Sequence, residues 1–277
     1  MSTPNNGIQT IHAMANFMAE QHPEVLLFMA QKLRLHLSNS LADFHGNRVA
    51  HGPFRGLLLG ADTHWSGGGA DKGGMILGLY EQEILNILAD IPAKYRTFID
   101  LGAADGYYGL GMLVNNRFDT SYCYEIVERG REVIAANAVL NNVADRVIIR
   151  GEATREFYKD FPAEVRDQSL LLIDIEGAEF DLVDADTFAA FSKAMIVIEI
   201  HDWMVENGAE KTAKLRVDAA RTHRVSEIKM GARDLSGITE LQSMPDTQRW
   251  LLCSEDRQRL MTWLRFDPIE PSSILNA

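Results

Sequence analysis

Cysteine is scarce: Cys123 and Cys253 are the only two in the chain, and they form no Cys-x-x-Cys pair. That argues against a disulfide framework, a zinc ribbon or a dithiol redox centre, and both are expected as buried free thiols inside strands. Basic residues are also in deficit. Lys and Arg number 27 against 39 Asp and Glu, a formal charge of −12. A surface of that sign is poorly suited to displacing counterions from a phosphate backbone, so no nucleic-acid partner is expected. No apolar run reaches the 18 residues of a membrane span, and Met1-Ser-Thr-Pro-Asn-Asn-Gly lacks a basic-then-apolar leader. The expectation is a cytoplasmic chain without a membrane partner. Missing too are a Gly-x-Ser-x-Gly elbow and a phosphate loop ending in Gly-Lys-Ser or Gly-Lys-Thr, which removes two common hydrolase designs.

What is present begins with a hydrophobic fraction of 46% over 277 residues, enough to bury a full core. The most informative stretch is Phe98-Ile-Asp-Leu-Gly-Ala-Ala-Asp-Gly-Tyr-Tyr-Gly-Leu-Gly111. Residues 97–101 are short, apolar and β-prone, residues 107–114 suit a helix, and Gly102 and Gly106 fall in the turn between them. Bare backbone there lets a ligand approach the helix N-terminus. The spacing is not the Gly-x-Gly-x-x-Gly of dinucleotide folds, and Asp100 precedes the first glycine. A carboxylate at that point repels a pyrophosphate but suits a cofactor carrying ammonium and sulfonium charges.

Strand and helix patterns then alternate. Strands are expected over 121–125, 146–150 and 170–174, a helix over 129–141, and strand after strand ends in an acid. Ala136-Asn-Ala-Val-Leu-Asn-Asn-Val-Ala-Asp-Arg-Val147, Ile173-Asp-Ile-Glu-Gly-Ala-Glu179 and Ile198-Glu-Ile-His201 complete the set. With the glycine turn, these motifs resemble the FkbM-type class I S-adenosylmethionine-dependent methyltransferases over about residues 74–202. The resemblance implies an α/β fold with a Rossmann-like methyltransferase sheet, mostly parallel with an antiparallel last strand. It also implies methylation of a hydroxyl on a small molecule, a secondary metabolite or a sugar.

In an open parallel sheet, ligands lie beyond the carboxyl ends of the strands. On that logic Asp100, Gly102 and Ala104 border the methionine part of the cofactor, Gly106 leaves bare backbone for it to approach, Asp174 joins the same cofactor set, and Glu125 takes the ribose hydroxyls. Ile126 packs on the adenine and Glu152 accepts from its amine. Tyr80 and Glu81, in a stretch that resembles a family signature, are placed to face the cofactor. For Glu125 and Glu152 a merely solvated acid is the competing reading, and for Tyr80 and Glu81 a half-buried ring beside a surface carboxylate. Proton removal from a hydroxyl points to Asp174, Glu176, Glu199 and His201, which share sides as i, i+2 pairs. His201 is the expected general base, because an imidazole accepts a proton near neutral pH. The rival is that these residues gather a divalent cation such as Mg²⁺. A plainer reading gives Glu176 and Glu179 to capping the helix after Gly177.

Residues 1–74 are expected as an N-terminal helical and hairpin extension, and 75–277 as the S-adenosylmethionine-binding domain. Two helices broken at His22-Pro23 carry an apolar stripe, Leu26, Met29, Leu33, Leu37, Leu41 and Phe44. It packs on the main domain or serves a homodimer. A hairpin is expected over 47–61. Five glycines within residues 67–74, beside His64 and Trp65, read as a mobile connection or a lid. Toward the end, a helix over 75–88, a helix over 210–223, strands over 225–229 and 248–254, a short helix over 257–263 and a loose tail from 268 are expected. Two other functions stay open: a nicotinamide-dependent oxidoreductase, which shares the glycine turn and ribose acid, and a catalytically silent methyltransferase-like binding module.

Overall fold

The computed structural model describes residues 6–63 and 69–270. Helices α1 (Asn6–Gln21) and α2 (Pro23–Phe44) meet at the expected break, with Pro23 opening α2, where a missing N–H costs nothing. Arg48 and Leu58 form a single antiparallel bridge, so the expected hairpin exists as a tight loop rather than a two-stranded ribbon. Residues 75–88 are not one helix. The chain makes α3 (Lys72–Ile76), turns through Gly78 and Glu81, both at positive φ, and restarts as α4 (Gln82–Ala89).

The central part follows the alternation of the sequence: β1 (Thr97–Leu101), α5 (Tyr107–Val114), β2 (Thr120–Tyr124), α6 (Glu128–Leu140) and β3 (Val147–Arg150). Next come α7 (Ala163–Asp167), β4 (Ser169–Ile173), α8 (Glu179–Leu182), α9 (Ala185–Ala190), β5 (Met195–Glu199) and α10 (Gly208–Ala219). The chain ends with β6 (His223–Lys229), α11 (Asp246–Leu252) and β7 (Thr262–Pro268). The seven strands form one sheet in the order β3-β2-β1-β4-β5-β7-β6, with β7 antiparallel to both its neighbours. This is the α/β, Rossmann-like sheet expected from the sequence.

Two expectations near the C-terminus fail. Residues 248–254 are not a strand. Pro245 and Asp246 start a helix there, with an acid in the first turn where the helix dipole favours it, and Cys253 is the buried C-cap. Residues 257–263 are not a helix, because Thr262-Trp-Leu-Arg-Phe266 enters the sheet between β5 and β6, with Trp263, Leu264 and Phe266 fully buried. An aromatic-rich run suits a strand covered on both sides. Pro268 still belongs to β7, and the rest of the expected tail, residues 271–277, lies outside the described residues.

Alternation along the strands fills a core on each face. Phe98, Leu170, Leu172 and Val197 pack against α4, α5 and α6, while Ile99, Leu171, Ile173 and Ile198 pack under Phe157, Phe188 and Leu215 on the other side. The apolar stripe of α2 splits. Leu37 and Leu41 pack near Leu252 of α11, but Leu26, Met29, Leu33 and Phe44 are exposed. Helix α2 packs against α1, α3 and α11. The expected lid also divides: His64 and Trp65 lie outside the described residues, while Gly73 and Gly74 are buried in α3, where Gly73 lets that helix lie close on Ser38 of α2.

Candidate functional site

The carboxyl ends of β1, β2, β4 and β5 open onto two adjoining cavities. The larger, about 760 Å³, lies over Leu101-Gly102 and Ala104, beside Glu125-Ile126, Glu152 and Asp174. Its size is that of a cavity for a drug-sized or nucleoside-sized ligand. Ile126, Ile175 and Leu182 supply apolar walls, and Arg155 and Asp181 sit at the edge. The smaller, about 180 Å³, is lined by Asp71, Tyr80, Glu81, Glu199, His201, Glu255 and Arg257. Asp174 and Glu176 border both.

The glycine turn is built differently from the expectation. Gly102 stands at φ +92°, and a Cβ on it would lie 1.8 Å from the carbonyl oxygen of Asp174. Gly106, at φ +86°, would press on Leu110 and Ile134. Both glycines admit neighbouring protein, but Gly102 also lines the larger cavity and Gly106 does not. Ala104 in the same turn holds φ +47° without being glycine, a strained conformation of the kind that collects at sites. Asn137, from the second resembling motif, donates to the carbonyl of Asp105 at 3.0 Å and to Thr63 Oγ1 at 3.2 Å. Asn141 clasps both backbone groups of Leu58. These two side chains fasten the turn and the N-terminal loop to α6.

Asp100 is likewise not at the cavity wall. It is buried, and its Oδ2 accepts the N–H of Gly109 at 3.1 Å, while Asp105 Oδ1 accepts that of Tyr107 at 3.0 Å. Donors in the first turn of α5 are thus already taken by protein carboxylates. Burial, then the charge of Asp174, pushes the Asp100 carboxyl up to about 8. Glu125 does line the larger cavity, held by two backbone donors: Ala104 N–H to Oε2 at 3.0 Å and Val127 N–H to Oε1 at 2.7 Å. Glu152 and Ile126 lie across from it, both exposed.

Tyr80 and Glu81 belong to the smaller cavity and not to the larger one, because the left-handed turn at Glu81 directs them toward β5. There Glu81 accepts from Tyr108 Oη and from Arg257. Arg257 also donates to Glu199 Oε1 at 3.0 Å and to Glu255 Oε2 at 2.8 Å, and Arg233 pairs with Glu255 from behind. Burial pushes Glu81 up to about 7 against the pull of Arg257, and pushes Glu199 up to about 11 with the neighbouring charges of Asp174 and Glu81 adding to it. Nothing in the sequence marked Arg257, which reaches the site from the loop before β7.

His201, 3% exposed, presents Nε2 at 3.7 Å from Asp174 Oδ1 and 3.5 Å from Glu176 Oε2. Burial works against its charged form, but Glu179, Asp174 and Glu176 outweigh it and lift the imidazole above its usual value. Glu179 is fully buried and clamps the two strand ends, accepting the N–H of Gly177 and of His201, each at 2.8 Å. The acid after Gly177 therefore ties β4 to β5, which goes beyond the helix cap of the plainer reading.

No protein-family model matches the chain, and no curated protein sequence matches it. Solved structures resemble it over about two thirds of the chain. A protein of the NADB-Rossmann superfamily from Streptococcus agalactiae is 12% identical with a TM-score of 0.42, each chain covered over 68%. The ribosomal protein L11 methylase from Lactobacillus delbrueckii is 13% identical with a TM-score of 0.41, over 68% of this chain and 78% of that one. The M1A22 tRNA methyltransferase of B. subtilis is 10% identical with a TM-score of 0.41, over 68% of this chain and 66% of that one. Among the described residues, no helix is long and apolar enough to cross a membrane.

Proposed function

We propose that the chain is an S-adenosylmethionine-dependent methyltransferase of FkbM type that methylates a hydroxyl of a small molecule, a secondary metabolite or a sugar. The observation that carries this is the shared wall of the two cavities: Asp174 and Glu176 border the nucleoside-sized cavity on one side and the acid-lined one on the other. A donor in the first and an acceptor in the second meet across that wall, as an in-line displacement requires. The methyl carbon leaves the sulfonium sulfur, which keeps the bonding pair and becomes a neutral thioether, and the acceptor oxygen forms the new bond. The hydroxyl proton passes to the Asp174, Glu199 and His201 cluster, either to His201 as general base or to a carboxylate when a divalent cation such as Mg²⁺ acidifies the hydroxyl.

A dinucleotide fits poorly. Pyrophosphates bind free N–H groups at a helix N-terminus, and at α5 the amides of Tyr107 and Gly109 already serve Asp105 and Asp100. An acidic cavity in a chain of net charge −12 also favours a small acceptor over nucleic acid.

Calorimetric titration tests the cofactor: S-adenosylhomocysteine is expected to bind and NAD to give no heat. NAD binding with a silent S-adenosylhomocysteine titration overturns the reading. Glu125→Ala is expected to weaken S-adenosylhomocysteine by about 1.5–3 kcal/mol, the worth of a hydrogen bond to a charged group; an unchanged affinity places the ribose elsewhere. Labelled methyl transfer to polyols and to matching amines tests the acceptor, and transfer to amines alone replaces the hydroxyl with nitrogen.

A further inference from the structure

The structure assigns a divalent-cation site to Asp174, Glu199 and His201, set in the wall between the two cavities. One ligand-capable atom from each of the three lies within 4.8 Å of the others. Two carboxylate oxygens and an imidazole make a mixed donor set that suits Mn²⁺ or Mg²⁺. Proximity of acids alone assigns nothing, because carboxylates also gather where guanidiniums hold them. Two further features point to a missing ligand.

The first is unmet polarity in a buried place. His201 is 3% exposed; its Nδ1 faces Glu179 Oε1 at 3.5 Å, its Nε2 is turned toward Asp174 and Glu176, and the buried Oδ1 atom of Asp174 on that side has no hydrogen-bond partner. The 3.7 Å between His201 Nε2 and Asp174 Oδ1 is too long for a hydrogen bond. It is of the order expected for two ligands flanking one ion at about 2.0–2.3 Å from each. Unmet buried polar atoms are costly, and a native protein keeps them where something else satisfies them.

The second is charge. Six carboxylates line the smaller cavity, and among its lining residues Arg257 and the His201 imidazole oppose them, with Arg34 and Arg233 reaching Asp71 and Glu255 from behind. Arg257 takes Glu199 Oε1, and a carboxylate oxygen of Glu199 lies within 4.8 Å of one of Asp174. Two carboxylates so placed need a proton or a cation between them. The ion's remaining positions would face the acceptor cavity. On the methyl-transfer reading, on which this last step rests, the acceptor is then an oxygen chelator, a vicinal diol or α-hydroxy acid whose hydroxyl binds the ion directly.

The test is titration of Mn²⁺ into the full chain, followed by loss of the free-ion paramagnetic resonance signal. One ion is expected to bind, and Asp174→Asn, Glu199→Gln and His201→Ala should each weaken it about tenfold or more. Glu176→Gln, whose side chain is 72% exposed, should weaken it less. The bound ion's electron-spin-echo modulation should carry an imidazole nitrogen coupling in the parent chain that disappears in His201→Ala. An undiminished free Mn²⁺ signal, or bound Mn²⁺ lacking any nitrogen coupling in the parent, overturns the assignment. Titration of S-adenosylhomocysteine into the same samples separates the ideas: cofactor binding without Mn²⁺ binding sinks the metal site alone, and the reverse sinks the cofactor reading alone.

Discussion

Replacing Arg257 with methionine is expected to cost about 3–5 kcal/mol of folding stability, the usual penalty for removing one partner from a buried ion pair. The guanidinium holds Glu81, Glu199 and Glu255 together, and all three carboxylates are almost fully buried. Glu255 keeps Arg233 and Glu81 keeps the Tyr108 hydroxyl, but Glu199 is left beside Asp174 with no opposite charge. The loss should depend on pH, and its sign follows from proton linkage. Acids raised above their unfolded values bind more protons in the native state, so stability falls as pH rises toward the folded value. Glu81 at about 7, Asp100 at about 8 and Glu199 at about 11 already give the parent chain such a slope from about pH 4 upward, past pH 8 through Glu199. Arg257 lowers Glu81, so its removal sends that carboxyl above about 7 and carries its share of the decline to higher pH, whereas Glu199, at about 11, stays protonated through this range. Thermal melts at pH 6 and pH 8.5 should show the variant losing more at the higher pH. Equal losses at the two values, or a loss under about 1 kcal/mol, would show that the carboxylates do not depend on this cation.

The dependence of so much on Arg257 also shows where sequence reading stops. Strand ends were legible because parallel strands read as short runs closed by an acid, as β2, β4 and β5 do, while β1 carries Asp100 one residue before its end. From that, Glu125, Asp174, Glu199 and His201 could be placed on one rim without knowing a single contact. Tertiary choices were not legible. The aromatic-rich run from Thr262 to Phe266 suits a strand, but only the slot between β5 and β6 makes it one, and the preceding apolar residues become α11. The same limit hid the true neighbours of the site. Asp100 and Gly106 look like ligand contacts because composition cannot tell a carboxylate capping Gly109, or a turn pressed on Leu110 and Ile134, from one lining a cavity. Tyr80 and Glu81 changed cavities through one left-handed residue. An arginine brought in by a loop from 58 positions beyond Glu199 leaves no periodic trace.

His201→Ala should lower kcat by roughly 10²–10⁴, the range for losing a positioned proton-transfer group, while S-adenosylhomocysteine affinity stays within about twofold. The split follows from position: His201 lines the acid cavity and does not line the larger one. Its backbone N–H is already secured by Glu179, so removing the ring leaves the join between β4 and β5 in place. The variant should therefore fold, which thermal melting can check beside the kinetics. The lifted imidazole makes the ring a reluctant base, since its carboxylate neighbours favour the protonated form. That gives the experiment a second arm. Excess Mn²⁺ or Mg²⁺ should restore much of the lost rate if the ring serves as a ligand, because weaker ion binding is overcome by mass action. A lost general base is not restored by any metal concentration. A kcat within about threefold of the parent, in chelator as well as in added metal, would remove His201 from the chemistry altogether and leave proton removal to Asp174 and Glu199.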